Sequence, residues 1–242
     1  MNGTVEVAVI GGSGIYELAP VVDAVGPISI CEVDGQAVAF LNRHGPGHRM
    51  PPHAVAYRDN IDALDRLGVR RVVATFACGS LVPELGPGSL VVPDQLIDRT
   101  RQRVDTFHDD FSDGPRHAAF ADPYDEGVRA ALLAAAPDAT DGGTVVVIDG
   151  PRFATRAESR WYRSMGATLI NMTQYPEAVL ARERDIAYGS IGLVTDHDAV
   201  LEDHPDVEPV TQEQVFAEFD RHLPRLRDAV LGAATRLQPS TP

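Results

Sequence analysis

There is no lysine in this sequence: all 21 basic residues are arginine. That absence removes Schiff-base chemistry, a pyridoxal-phosphate anchor and a Walker-type phosphate loop, each of which needs a lysine amine. Cysteine is nearly as scarce. The two present, Cys31 and Cys78, cannot make a disulfide framework, and no C-x-x-C or Cys/His zinc spacing occurs. No window reaches the roughly 18 consecutive apolar residues of a membrane span, and no basic stretch followed by an apolar one opens the chain. These absences predict a reduced, cytoplasmic, soluble protein without a membrane partner. Positive charge is also in deficit: 21 Arg stand against 35 Asp and Glu, a formal net charge of -14, so nucleic acid is a poor partner.

What is present suffices for a sizeable core, since 44% of the 242 residues are hydrophobic. Short β-branched runs at Val5 to Ile10, Ala37 to Leu41, Arg71 to Phe76, Leu90 to Val92, Thr144 to Ile148, Thr168 to Asn171 and Ala187 to Val194 predict strands. Helical spacing appears over Ala54 to Leu67, Ala130 to Ala136, Thr155 to Met165, Glu177 to Arg184 and about Thr211 to Leu237. The last carries a stripe of Val215, Phe216, Phe219, Leu223, Leu226 and Val230, and the polar stretch Thr100 to Pro123 reads as a long loop. No repeat or low-complexity linker divides the chain, and strands alternating with helices predict one α/β domain.

Five strand-end turns carry chemistry. Gly11-Gly12-Ser13-Gly14 suits a single phosphate better than a dinucleotide, because Glu17 stands where a third fingerprint glycine belongs. Arg43-His44-Gly45 offers an arginine fork and an imidazole to an anion; a histidine-phosphatase motif is the sharp alternative, but that motif follows a first strand, not a second. Phe153, after Asp149-Gly150-Pro151-Arg152, presents a stacking face or a simple core ring. Asn171-Met172-Thr173 adds a hydroxyl and a soft surface for a sugar or base. Asp196 and Asp198, two residues apart, suit either a purine's ring nitrogen and amine or, with His204, a weakly supported metal site. Singly none is decisive. Together they gather phosphate donors, an aromatic and a carboxylate pair where α/β folds bind ligands.

Val9-Ile10-Gly11-Gly12-Ser13-Gly14-Ile15, Arg43-His44-Gly45, Ala77-Cys78-Gly79-Ser80-Leu81, Asp94 to Thr100, Gly150-Pro151-Arg152-Phe153, Asn171-Met172-Thr173 and Thr195-Asp196-His197-Asp198 together resemble the trimeric purine nucleoside phosphorylases, in particular their methylthioadenosine phosphorylase branch. The match runs in order from about residue 7 to about residue 230. The resemblance implies one phosphorylase domain over 1–242 with its core at about 5–237, and a mixed central sheet flanked by helices. It implies a homotrimer with sites near subunit interfaces, and no metal or organic cofactor, inorganic phosphate being a co-substrate. The implied reaction is phosphorolysis of 5'-methylthioadenosine to adenine and 5-methylthioribose 1-phosphate.

Carried over residue by residue, Ser13, Arg43, His44 and Thr173 match the phosphate binders, with the backbone at Phe76 and Ala77. Met172 matches the residue under the ribose, Phe153 the residue beside the purine, and Asp196 and Asp198 the base-reading pair. Asp196, Asp198 and His44 are the implied catalytic group. Asp196 would serve the purine N7 and Asp198 the 6-amino group, favouring adenine nucleosides over 6-oxopurines. Three positions depart from the pattern: Phe76 replaces a threonine, Ala154 a serine, and Gln212 an apolar residue against the 5'-methylthio group. Gln212 keeps adenosine or another 5'-substituted nucleoside open as substrate. Phe76 motivates a nucleoside-binding relative with weak turnover, while the retained phosphate donors argue against a water-using nucleosidase.

Overall fold

The computed structural model describes residues 5–199 and 212–238. Its strands are Val7–Gly11 (β1), Val21–Val25 (β2), Ile28–Val33 (β3), Gln36–Asn42 (β4), Arg71–Ser80 (β5), Leu90–Val92 (β6), Gln95–Asp98 (β7), Thr140–Asp141 (β8), Thr144–Val147 (β9), Leu169–Asn171 (β10) and Ala187–His197 (β11). The helices are Tyr57–Leu67 (α1), Glu126–Ala135 (α2), Arg156–Ser164 (α3), Gln174–Glu183 (α4) and Gln212–Arg236 (α5). All the strands join one mixed sheet in the order β2-β3-β4-β1-β5-β10-β9-β7, with β11 lying along β5 and carrying β6 and then β8.

Helices cover both faces. Along β1, Val7 and Val9 enter a core with Ile191, Leu193, Leu226 and Val230 under α2 and α5. Ala8 and Ile10 enter the opposite core with Ile61, Leu64, Ala178 and Leu180 of α1 and α4. That two-sided burial explains why β1 reads as a continuous apolar run rather than an alternating one. The predicted α/β class and mixed sheet are therefore what the chain adopts, and the polar stretch from 99 to 125 carries no helix or strand.

Four strands escape the sequence reading, among them β8, an exposed strand of 2 residues. β2 is exposed along its whole length, so burial leaves no pattern in it. β3 and β4 meet at Asp34-Gly35, both with positive φ and flanked by the pair Val33 and Gln36, a two-residue hairpin turn whose signature the sequence does carry. β7 is short and only half-buried.

Strand β5 organises the functional face. Its first half, Arg71 to Ala74, pairs with the parallel β1. Its end, Gly79 and Ser80, pairs on the antiparallel β10. The carboxyl ends of β1 and β10 thus converge on the stretch Thr75 to Cys78, and a cavity opens where the neighbour changes, as sheet topology leads one to expect.

Candidate active site

That cavity has a volume of about 410 Å³, within the range of small-molecule sites. Ser13, Arg43, His44, Phe76, Ala77, Phe153, Met172, Thr173, Asp196 and Asp198 all line it, so ten predicted positions from six separate segments meet in one place. The eleventh, Gln212, opens α5, and its side chain lies outside the described residues, as does His204.

Arg43 follows β4 and is fully buried. Its Nε and Nη2 donate to the two carboxylate oxygens of Glu177, each at 2.6 Å, and Nη1 donates to the Thr75 carbonyl at 2.7 Å. Burial alone would push the guanidinium pKa down, but Glu177 beside it reverses this and the net shift is upward. Of its five N–H donors three are committed, leaving two for an anion. Gly12 makes this approach possible: a Cβ there would lie 2.5 Å from the Thr75 oxygen and 2.9 Å from Arg43 Nη1. Glu177, absent from the sequence-derived site, has a visible signal, an acid at the head of the apolar run Ala178 to Ala181 that must find a cation if buried.

His44 gives Nδ1 to the Met50 carbonyl at 2.8 Å. A carbonyl only accepts, so Nδ1 carries the proton of the neutral ring and Nε2 is an acceptor. Burial, then Arg43 and His48, hold the imidazole down at about 4 against the opposing pull of the Met50 carbonyl. The ring stacks on His48 with centroids 4.1 Å apart. The sequence reading makes His44 a donor, whereas the neutral ring with its proton on Nδ1 presents Nε2 to the cavity as an acceptor.

Asn171, at the end of β10, braces the centre. Its Nδ2 donates to the Ala77 carbonyl at 3.0 Å, and its Oδ1 accepts from the backbone N–H groups of Thr173 and Gln174. This fixes Thr173 at the start of α4, and Met172 beside it. Met172 Sδ packs where a Cβ on Gly150 would be, 2.4 Å away, which seats the Gly150-Pro151 turn against it. Phe153 beyond that turn is 52% exposed, a ring at the rim rather than in the core.

Asp196 owes its direction to a bulge. On β11, Val194 pairs with Cys78 and Asp196 with Gly79, so Thr195 is an extra residue. Without it Asp196 would share the side of the core residue Val194; the bulge turns it into the cavity. Gly79 makes room, since a Cβ there would be 2.9 Å from Asp196 Oδ2. Burial, and Asp198 nearby, push the Asp196 carboxyl up to about 6 against the Thr195 hydroxyl, which lies 2.7 Å from Oδ1. The buried Ser159 of α3 donates to Asp198 Oδ1, and the Asp198 backbone N–H donates to the Ser80 carbonyl at 2.8 Å.

Phe76 turns away from the anion donors. Its ring fills the space a Cβ on Gly192 would need, 2.5 Å from Cζ, within a core of Cys78, Val91 and Val194. Strand β5 is thus a ruler: Arg43 marks Thr75, Asn171 marks Ala77 and Asp196 marks Gly79. Four residues at about 3.3 Å each separate the anion end from the carboxylate end by roughly 13 Å.

The chain matches the model of the phosphorylase superfamily over residues 5–232. It is 52% identical over 236 residues to the S-methyl-5'-thioadenosine phosphorylase of Mycolicibacterium smegmatis, covering 93% of this chain and 88% of that one. It is 46% identical over 255 residues to the purine nucleoside phosphorylase of Streptomyces coelicolor, covering 97% and 90%. A crystal structure of a variant adenosine/methylthioadenosine phosphorylase of Schistosoma mansoni, in complex with methylthioadenosine, superposes with a TM-score of 0.87 at 34% identity, covering 96% of this chain and 91% of that one.

Proposed function

The chain belongs to the phosphorylase superfamily, and from that premise we propose that it is an S-methyl-5'-thioadenosine phosphorylase, cleaving 5'-methylthioadenosine with inorganic phosphate to adenine and 5-methylthioribose 1-phosphate. The observation that carries the proposal is the single cavity joining anion donors at Thr75 to paired carboxylates at Gly79. Its length of roughly 13 Å accommodates a phosphate, a ribose and a purine in line.

In this reading Arg43, Ser13 and Thr173 donate to the phosphate, and His44 Nε2 accepts from its protonated oxygen. Met172 lies under the ribose and Phe153 beside the purine. Phosphate oxygen forms the new bond to ribose C1' as the bond from C1' to the purine nitrogen breaks. The sugar passes through a cationic, oxocarbenium-like state that the phosphate charge stabilises. The electron pair leaving with the purine makes N7 basic, and the carboxyl of Asp196, raised to about 6, supplies the proton or a share of it there. Asp198, with one oxygen held by Ser159, accepts from the 6-amino group with the other. We further propose that residues 1–242 form a single phosphorylase domain acting as a cytoplasmic homotrimer.

Adenine release, measured with and without phosphate over methylthioadenosine, adenosine and inosine, tests this. Strict phosphate dependence with preference for the adenine nucleosides is expected; full release in phosphate-free buffer overturns it. A second reading, adenosine as the main substrate, is favoured by the amide of Gln212 where an apolar residue would suit a methylthio group. The ratio of the two adenine nucleosides decides between them. Light scattering that finds a fully active monomer rejects the trimer.

A further inference from the structure

Segment 99–125 has no helix or strand, yet Arg103 within it has a side chain only 4% exposed. Its guanidinium is wrapped in oxygen. Nη2 donates to the carbonyls of Asp149 and Met172, each at 3.0 Å. Nη1 donates to the carbonyl of Tyr175 at 2.5 Å and to the Tyr57 hydroxyl at 3.3 Å. Nε faces Asp149 Oδ1 at 3.5 Å, and the Tyr57 ring lies 5.3 Å from the guanidinium carbon.

The position of these carbonyls gives the contact its meaning. β9 and β10 run parallel, and their last shared hydrogen bond joins the Ile148 N–H to the Asn171 carbonyl. Beyond it the two chains separate into the turn leading to Phe153 and the turn bearing Met172. Ladder pairing ends there, and carbonyls aimed into a common buried space need donors from elsewhere. A planar fork with five fixed donors can bridge them; a lysine, with one nitrogen, cannot hold both sets in the same geometry.

We propose that Arg103 is a positioning residue that locks the Phe153 turn to the Met172 turn and so sets the nucleoside half of the site. This rests on the phosphorylase reading. The anion half is anchored independently: Arg43 by Glu177 and Thr75, His44 by Met50, and Thr173 by Asn171. Loss of the fork therefore acts on one substrate and spares the other, whereas a merely structural role would disturb both alike.

The test is the split between the two KM values in Arg103→Met and Arg103→Lys, with calorimetric binding of methylthioadenosine in the absence of phosphate alongside. Both variants are expected to raise the nucleoside KM and its Kd by about tenfold or more, the scale of a modest displacement of binding groups. The phosphate KM is expected to stay within about threefold of wild type. Lysine should fail to rescue, because it restores charge without the fork. If Arg103→Met does not fold, Arg103→Lys carries the same comparison. Parallel rises in both KM values, or a nucleoside KM and Kd unchanged in both variants, overturn the proposal. Wild-type phosphate-dependent turnover is the control for the phosphorylase reading, and calorimetry still judges Arg103 if that control fails.

Discussion

At Thr75 the cavity meets a buried guanidinium clamped by a carboxylate, and at Gly79, four residues further along β5, it meets two carboxylates set side by side. The first end is complete before any ligand arrives: Arg43 and Glu177 are 0% and 2% exposed, and the pair is further held by the Tyr188 hydroxyl at 2.7 Å from Glu177 Oε1. The second end stores cost, with Asp196 raised by burial and by its acidic neighbour. Opposite charges paired in advance make a rigid platform for an anion that brings its own charge. Like charges crowded together make a group ready to take up or share a proton. One cavity thus divides its work into preorganisation at one end and perturbed acidity at the other.

The largest expected effect tests the acidic end. Asp196→Asn keeps the shape but removes the titratable proton. It should lower kcat for methylthioadenosine by about 10²–10⁴, the span of general acid catalysis, with phosphate KM little changed. Steady-state kinetics at saturating phosphate measure this, and a loss under about threefold would break the contrast between the ends.

Next is the paired end, where the effect is on folding. Glu177→Gln leaves the Arg43 charge buried without its counter-charge and should cost about 3–5 kcal/mol in urea unfolding. Replacing both partners, as in Arg43→Met with Glu177→Met, removes the charges together and should recover most of that stability. The double variant should still bind phosphate poorly, since a charge-assisted hydrogen bond to an anion is worth about 1.5–3 kcal/mol. Stability restored without phosphate affinity would sharpen the division; affinity restored as well would remove Arg43 from the phosphate.

A smaller effect separates the two carboxylates from each other. Asp198→Asn can turn an amide N–H toward a purine 6-oxo group, so the ratio of adenosine to inosine turnover should narrow, by about tenfold, with a smaller fall in kcat than Asp196→Asn gives. Equal losses for both variants with an unchanged ratio would mean the base is held in another way, through backbone or ordered water.

How much of this was written in the sequence differs between the same two ends. The residues at the strand termini were legible because α/β folds put ligand groups there, and the ten described positions share one cavity. What makes them work was not. Glu177 lies 134 residues from Arg43 in the chain, and only packing brings them together. Arg103 sits in a stretch without periodicity, where pattern reading has nothing to hold. The bulge at Thr195 depends on how β11 lies against β5, a register that alternation alone does not set. Asp34-Gly35 is the opposite case, a hairpin signal plainly present in the sequence between β3 and β4.

The smallest effect concerns stability against pH and joins the two ends. Asp196 moves from an ordinary 3.8 to about 6 in the folded chain, so between these values the native state keeps a proton that the unfolded chain has lost. Stability contributed by that proton is present at low pH and is lost as pH rises through about 6. His44 at the anion end runs the other way: its folded value near 4 lies below the ordinary 6.5, so the unfolded chain takes up the proton first and stability rises with pH across that window. The two slopes oppose each other, and the wild-type melting temperature should change little on this account between pH 4 and 6.5. Asp196→Asn deletes only the falling slope. Its melting temperature should climb through the window and exceed that of wild type above pH 6, where the variant should be more stable by about 1–2 kcal/mol once the partial exposure of Asp196 is discounted. The amide suits the place: Thr195 has one hydroxyl proton and two acceptors in reach, Asp196 Oδ1 and the Cys78 carbonyl at 3.3 Å, and an Asn N–H would let that proton go to the carbonyl. Thermal melts of both proteins at about pH 4, 6 and 8 read the effect. A variant slower in catalysis yet firmer in fold is what a carboxylate kept for chemistry requires; a variant less stable than wild type at high pH would mean that Asp196 holds the bulge together rather than loading it.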